Sequence, residues 1–166
     1  MTTRVTRRIA APRDRVYRAL LDADAVAQWR FPAGMTCEVL EFHGVEGGSL
    51  RISLTYAAAD RVGKTSGRTD TYVGRFTRLV ANELVVEVDA FESDDPTLTG
   101  EMTSTIRLTD GPGGSTDLLA THEGLPASVS PEDNETGWRE ALDRLAALVE
   151  DPADRVRQPE GGSGAV

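Results

Sequence analysis

Residues 130–150 read SPEDNETGWREALDRLAALVE. At about 100° per residue, Asn134, Gly137, Trp138, Ala141, Leu142, Leu145, Leu148 and Val149 share one side of a helix, with Arg139, Glu140, Asp143 and Arg144 on the other. Ser130 suits the N-cap, Pro131 the first helical position, and Glu132 and Asp133 the positive end of the helix dipole. Such a helix must lay its apolar stripe on a second element. Gly137 costs about 1 kcal/mol relative to alanine, so its place at the edge of that stripe needs a reason. The expectation is a helix over a concave sheet. Small groups and Asn134 leave space beneath the half nearest the cap, while Leu142, Leu145, Leu148 and Val149 close a core. Asn134 on a buried stripe needs a hydrogen-bond partner: a ligand, a water or a sheet side chain.

The rest of the chain supplies the sheet. TTRVTRRIA, residues 2–10, reads as a strand with Val5, Arg7 and Ile9 on one face. APRDRVYRALLDADAVAQW then gives two short helices, the first carrying Val16, Ala19 and Leu20 and the second Val26 and Trp29, with a break at Asp22–Asp24 and a stop at Pro32. Strand patterns dominate from 35 to 125. Leu50, Ile52, Leu54 and Tyr56 alternate with polar residues; Leu84, Val86 and Val88 oppose Glu87 and Asp89; Met102, Ser104, Ile106 and Leu108 share a phase, as do Leu118, Ala120 and His122. Tyr72 falls in the strand RTDTYVGRFTRLV. GVEGG, DRVGKTSG, AN, ESDDPTLT and DGPGG are the turns and loops. Six successive strands joined by short connections form an antiparallel meander, and the first strand makes seven. A sheet of this width twists and curls, and only the helices remain to cover its apolar face.

The chain has 166 residues. Residues 1–150 are expected to form one domain and 151–166 a polar tail. A single cysteine, Cys37, excludes an intramolecular disulfide and reads as a small apolar residue. No run of about 18 apolar residues is present, so no membrane span is expected, and the basic N-terminus lacks the apolar core of a secretory signal. A cytoplasmic location is the resulting expectation. The net charge of −9 argues against nucleic acid as a partner. Its distribution is uneven: residues 1–80 carry 13 basic and 8 acidic side chains, residues 81–166 carry 5 and 19.

The stretches RRIAAPRDRVYRALLDADAVAQW, GGSLRISL, GRFTRLVANELVVEV, STDLLATHEGLP and SPEDNETGWREALDRLAALVE, in this order, resemble the SRPBCC superfamily. Within it they resemble the branch named after the C-terminal domain of the heat-shock protein 90 ATPase activator. The resemblance implies an α+β helix-grip fold: a curved seven-stranded antiparallel sheet, two short helices after the first strand, and a long C-terminal helix across the concave face. It also implies a hydrophobic cavity between that helix and the sheet. Relatives include lipid carriers, hormone receptors and polyketide cyclases, and fold alone does not choose among these.

The expected occupant is a small hydrophobic or amphipathic molecule. Trp29, Tyr56, Tyr72, Val86, Met102, His122, Asn134, Gly137 and Trp138 are the candidate lining residues, with Trp29 and Trp138 on opposite walls. No catalytic set is evident. His122 is the one inward histidine, suited to act as a general base or as a donor that polarises a ligand. His43 and His122 lie far apart and make no metal site, no serine sits in a nucleophile elbow, and the glycine-rich GVEGGS and GPGGS join strands rather than opening a helix. No cofactor is expected. The alternatives to ligand binding are a cyclase or aromatase using the same cavity, and an interaction module that contacts a chaperone by its outer surface.

Overall fold

The computed structural model describes residues 1–57, 67 and 69–150; the tail at 151–166 and nearly all of the loop at 60–67 lie outside the described residues. The elements follow the expected order. They are β1 (Thr3–Ile9), α1 (Arg13–Leu20), α2 (Ala23–Trp29), β2 (Met35–Phe42), β3 (Ser49–Tyr56), β4 (Thr69–Val80), β5 (Leu84–Phe91), β6 (Met102–Asp110), β7 (Thr116–Glu123) and α3 (Pro131–Val149). The strands form one antiparallel sheet in the order β1-β7-β6-β5-β4-β3-β2. It curls into a half-barrel whose concave side receives the helices. This is the helix-grip arrangement.

Local chemistry sets the boundaries. The Asp22 side chain accepts from the Asp24 N–H and opens α2 just after α1 ends, which turns the helical stretch through a bend. Ser130 caps α3 by accepting from the Asp133 N–H, and Pro131 fills its first position. None of the helices among the described residues is long and apolar enough to cross a membrane.

The core draws on every layer. Val5, Ile9, Leu50, Ile52, Phe76, Ile106, Leu108, Leu118 and Ala120 come from the sheet, Val16, Leu20, Val26 and Trp29 from the short helices, and Ala141, Leu142, Leu145, Ala146 and Val149 from α3. Leu148 is a correction: it is 40% exposed, while Ala146 is buried in its place. The buried arc of α3 is thus rotated slightly from the expected one.

A second correction lies in β5. Leu84 is buried at its hairpin end, but Val86 and Val88 are only half-buried and face the outer side. Val85, Glu87 and Asp89 face inward. β5 pairs in unbroken register with β6, Val85 opposite Ile106, Glu87 opposite Ser104 and Asp89 opposite Met102, and so shares that strand's inward phase, while β4 adjusts by a bulge. Phe76 pairs with Glu87 and Arg78 with Val86, so Thr77 is an extra residue on β4. Without it Phe76 would sit opposite Val88. The two β5 carboxyls therefore share the concave face with Phe76.

The sheet has two edges. α3 packs beside β1. At the other edge, no described strand pairs with the far side of β2, whose ladder is broken by a bulge between Val39 and Glu41.

Gly137 does not lie over open space. A Cβ built there would meet Pro32 Cβ at 3.5 Å, an ordinary contact. Alanine therefore fits this helical position. Gly137→Ala should raise stability by about 1 kcal/mol, read as a higher urea midpoint with an unchanged slope. A loss of stability would mean that α3 sits closer to Pro32 than this geometry allows.

Candidate functional site

The two halves of α3 are held differently. Its buried residues all fall from Ala141 onward; residues 131–140 are half-buried or exposed. The first half is tied down by polar contacts instead. Thr3 Oγ1 donates to Asn134 Oδ1 at 2.5 Å, which turns the amide nitrogen of Asn134 toward His122 Nδ1, 3.1 Å away. Trp138 Nε1 donates to the same His122 nitrogen at 3.2 Å, its ring set edge-on to the imidazole. The sequence required a partner for Asn134, and Thr3 and His122 are that partner.

This network fixes the state of His122. An indole N–H only donates, so Nδ1 must be an acceptor and carries no proton. The ring is neutral, with its proton on Nε2. Burial, aided by the Arg30 charge, lowers the His122 pKa to about 4. A neutral ring protonated at Nε2 is a hydrogen-bond donor at pH 7. Of the two roles expected for His122, the geometry fits the donor and not the general base.

Beneath this half of α3 lies a feature that the sequence reading missed. Arg30, one residue past the end of α2, turns inward with its side chain only 15% exposed. Its guanidinium forks onto Glu87, with Nη1 2.8 Å from Oε2 and Nη2 on Oε1, and Nη2 lies 3.6 Å from Asp89 Oδ2. The same guanidinium sits 5.3 Å over the Tyr72 ring. One cation thus meets two buried carboxyls. Burial alone would raise Glu87, but the charge and hydrogen bonds of Arg30 outweigh it and hold Glu87 below the usual carboxylate range. Asp89 goes the other way: burial and the neighbouring Glu87 charge push it well above the usual carboxylate range, which favours a proton on it. With that proton the group is neutral overall, which is how a low-dielectric interior tolerates it.

Gly74 makes room for this arrangement. It lies opposite Asp89 on β4, and a Cβ there would stand 1.8 Å from Asp89 Oδ1 and 2.6 Å from the Val88 carbonyl. Any larger residue would displace the carboxyl.

The nine expected lining residues divide. His122, Asn134 and Trp138 are brought together by hydrogen bonds, and Gly137 lies on the same turn of α3. Tyr72 and Met102 are buried on the concave face, Tyr72 beneath Arg30 and Met102 opposite Asp89. Tyr56 stands at the far end of β3, paired with Met35. Val86 is on the outer face, for the reason given above. Trp29 is core rather than wall: it is 1% exposed and its Nε1 donates to the Ala19 carbonyl at 3.0 Å, tying α2 to α1. The two tryptophans therefore do not face each other across one space.

Two clefts open elsewhere. One of about 730 Å³ lies between α1, α2 and the end of α3, lined in part by Tyr17, Leu21, Ala25 and Leu148. The other, about 480 Å³, lies at β1, β7 and β6 beside Arg8, Arg107 and Leu119. None of the nine residues lines either. Cys37 is part-buried, and burial pushes its thiol up to about 11, so it is inert at neutral pH. Glu101 pairs with exposed Arg75 at 2.8 Å.

Residues 10–150 match the model of the family described as activator of Hsp90 ATPase homolog 1-like protein. The chain belongs to this AHSA1 family. A protein of Chromobacterium violaceum with a solved structure is 39% identical, with 90% of this chain and 97% of that one covered and a TM-score of 0.80. The AHSA1 protein of Silicibacter pomeroyi is 18% identical over 90% of this chain and 97% of its own, with a TM-score of 0.72, and so shares the fold. A Rhodobacter sphaeroides protein, 22% identical over 89% of this chain and 91% of its own, does likewise at 0.70. No curated protein matches the chain. AHSA1 membership accounts for the scaffold on which the Arg30–Glu87–Asp89 group and the His122 network are built.

Two outcomes test the site. Arg30→Met leaves a carboxylate buried without its cation and should cost about 3–5 kcal/mol in urea unfolding. His122 gives a pH signature. Its folded pKa of about 4 lies below an unfolded value of about 6.5, so its contribution is fully present above pH 6.5 and is lost as pH falls toward 4. The stability advantage of the native protein over His122→Gln should therefore shrink by about 3 kcal/mol between pH 7 and pH 4. A constant difference would place His122 in water.

Proposed function

We propose that the chain binds a small amphipathic molecule under the N-terminal half of α3, between that half-helix and β4–β7. The observation that carries this reading is the uneven seating of α3. Its C-terminal half is sealed by Ala141, Leu142, Leu145, Ala146 and Val149, while its first half rests on hydrogen bonds from Asn134 and Trp138. Hydrogen bonds exchange with a ligand's polar groups at little net cost, whereas an apolar seal does not. A ligand enters by lifting that half, with its apolar body against Met102 and Trp138 and its polar end among His122 and its neighbours. Membership of the AHSA1 family, whose fold presents a helix over a concave sheet, supports the same place.

A chaperone contact is the second reading, and it uses the other side of the sheet. Arg78, Val86, Thr105, Thr121 and Arg4 form one cross-strand row on the outer face. The arginines at its two ends, with Arg107 nearby, stand outside every ion pair formed among the described residues. Such a face suits an acidic partner.

Titration of ¹⁵N-labelled protein with naphthalene and with decan-1-ol distinguishes the two. Ligand binding should shift the Trp138 indole N–H, the Asn134 side-chain amide and the Thr3 and His122 backbone amides, and leave Leu142 and Leu145 in place. Shifts confined to Leu21, Ala25 and Leu148, or no shifts, would remove the proposed site.

A further inference from the structure

The polar end of this site is asymmetric in what it offers. His122 Nδ1 is taken by Trp138 and Asn134, which leaves Nε2–H as the one remaining hydrogen-bonding position on the ring, turned away from α3. No hydrogen bond to it is formed among the described residues. Ser104 lies directly opposite His122 in the β6–β7 ladder, on the same face, and directly opposed side chains are about 5 Å apart at Cβ. Ser104 is 5% exposed, yet its hydroxyl has no partner among the described residues either. Tyr72, 9% exposed and two strands away, repeats the pattern with its phenol. The side-chain atoms wholly shut from solvent without a partner are Arg7 Nε and Asp89 Oδ1, so the His122 N–H, the Ser104 hydroxyl and the Tyr72 phenol are open donors that reach accessible space on one concave face.

The charges nearby narrow what would satisfy them. Glu87 follows Ser104 in the same cross-strand row, and both its oxygens are held by Arg30. Arg30 is thereby spent. A ligand carboxylate placed here would meet Glu87 with no free cation to balance it, and a ligand ammonium would find the carboxylate already occupied. What remains is a neutral imidazole N–H and a neutral hydroxyl, both able to donate. We infer that the ligand presents a neutral oxygen, a carbonyl or a hydroxyl, to His122 Nε2–H and Ser104 Oγ–H, with its apolar body under α3. This rests on the binding site proposed above and adds the chemical class of its ligand.

The test uses three probes of one size on the full chain: acetophenone, ethylbenzene and benzoate, titrated into ¹⁵N-labelled protein at pH 7. Acetophenone should bind at least tenfold more tightly than the other two and shift the His122 Nε2–H resonance. Ser104→Ala, a small change on a strand, should weaken acetophenone three- to tenfold, the loss of one hydrogen bond, and leave ethylbenzene unchanged. Equal affinity for ketone and hydrocarbon, tightest binding of benzoate, or a ketone preference that survives Ser104→Ala with His122 unmoved would overturn the neutral-oxygen assignment while the site itself stands. Absence of any shift near Trp138 with all three probes would overturn the site and this inference together.

Discussion

The interior is organised by the grip of Arg30 on Glu87. A guanidinium with 15% of its side chain exposed is tolerable only if its charge is met, and a carboxylate with 3% exposed only if a cation meets it. Each is the condition for the other. Their fork anchors the end of α2 to the middle of the sheet, over the Tyr72 ring. Asp89 completes the group: burial and the Glu87 charge raise its pKa, which favours its neutral form beside the Arg30–Glu87 pair. The His122 ring, neutral by its hydrogen bonds to α3, is the compatible neighbour.

Much of this frame could be read from residues alone. The cap of α3, the bend between α1 and α2, and the inward phases of β3, β6 and β7 follow from uninterrupted periodicity and the structure keeps them, while the stripe of α3 is kept with Ala146 in place of Leu148. β5 is different. In LVVEVDAF both phases contain apolar residues, and the phase holding Glu87 and Asp89 looks like the wet one. The phase follows the unbroken pairing with β6, and the bulge at Thr77 on β4 that accommodates it leaves little trace in composition. The one available hint was Gly74, a glycine inside a strand, which often marks close approach of another group. Here the group is the Asp89 carboxyl.

Arg30 was illegible for the same reason. A basic residue at the end of a short helix ordinarily faces water. Its inward turn makes sense only once the carboxyls opposite are known to point in. Trp29, its neighbour, suits a ligand wall by residue type, but its N–H is taken by the Ala19 carbonyl. Asn134 and His122 were read better because a polar residue on an apolar stripe demands a partner, and each is the other's.

The broken ladder of β2 bears on how this molecule behaves among its own copies. A sheet ending in an unpaired strand offers a row of backbone donors and acceptors to any passing chain. In β2 the kink between Val39 and Glu41 puts that row out of step, and exposed Glu38 and Glu41 set like charges against a second β2 approaching side by side. Leu40, 44% exposed, lies within the kink and not on a flat run where it could template stacking. β2 is therefore also a terminus: the sheet is built to stop there and not to continue into a fibre.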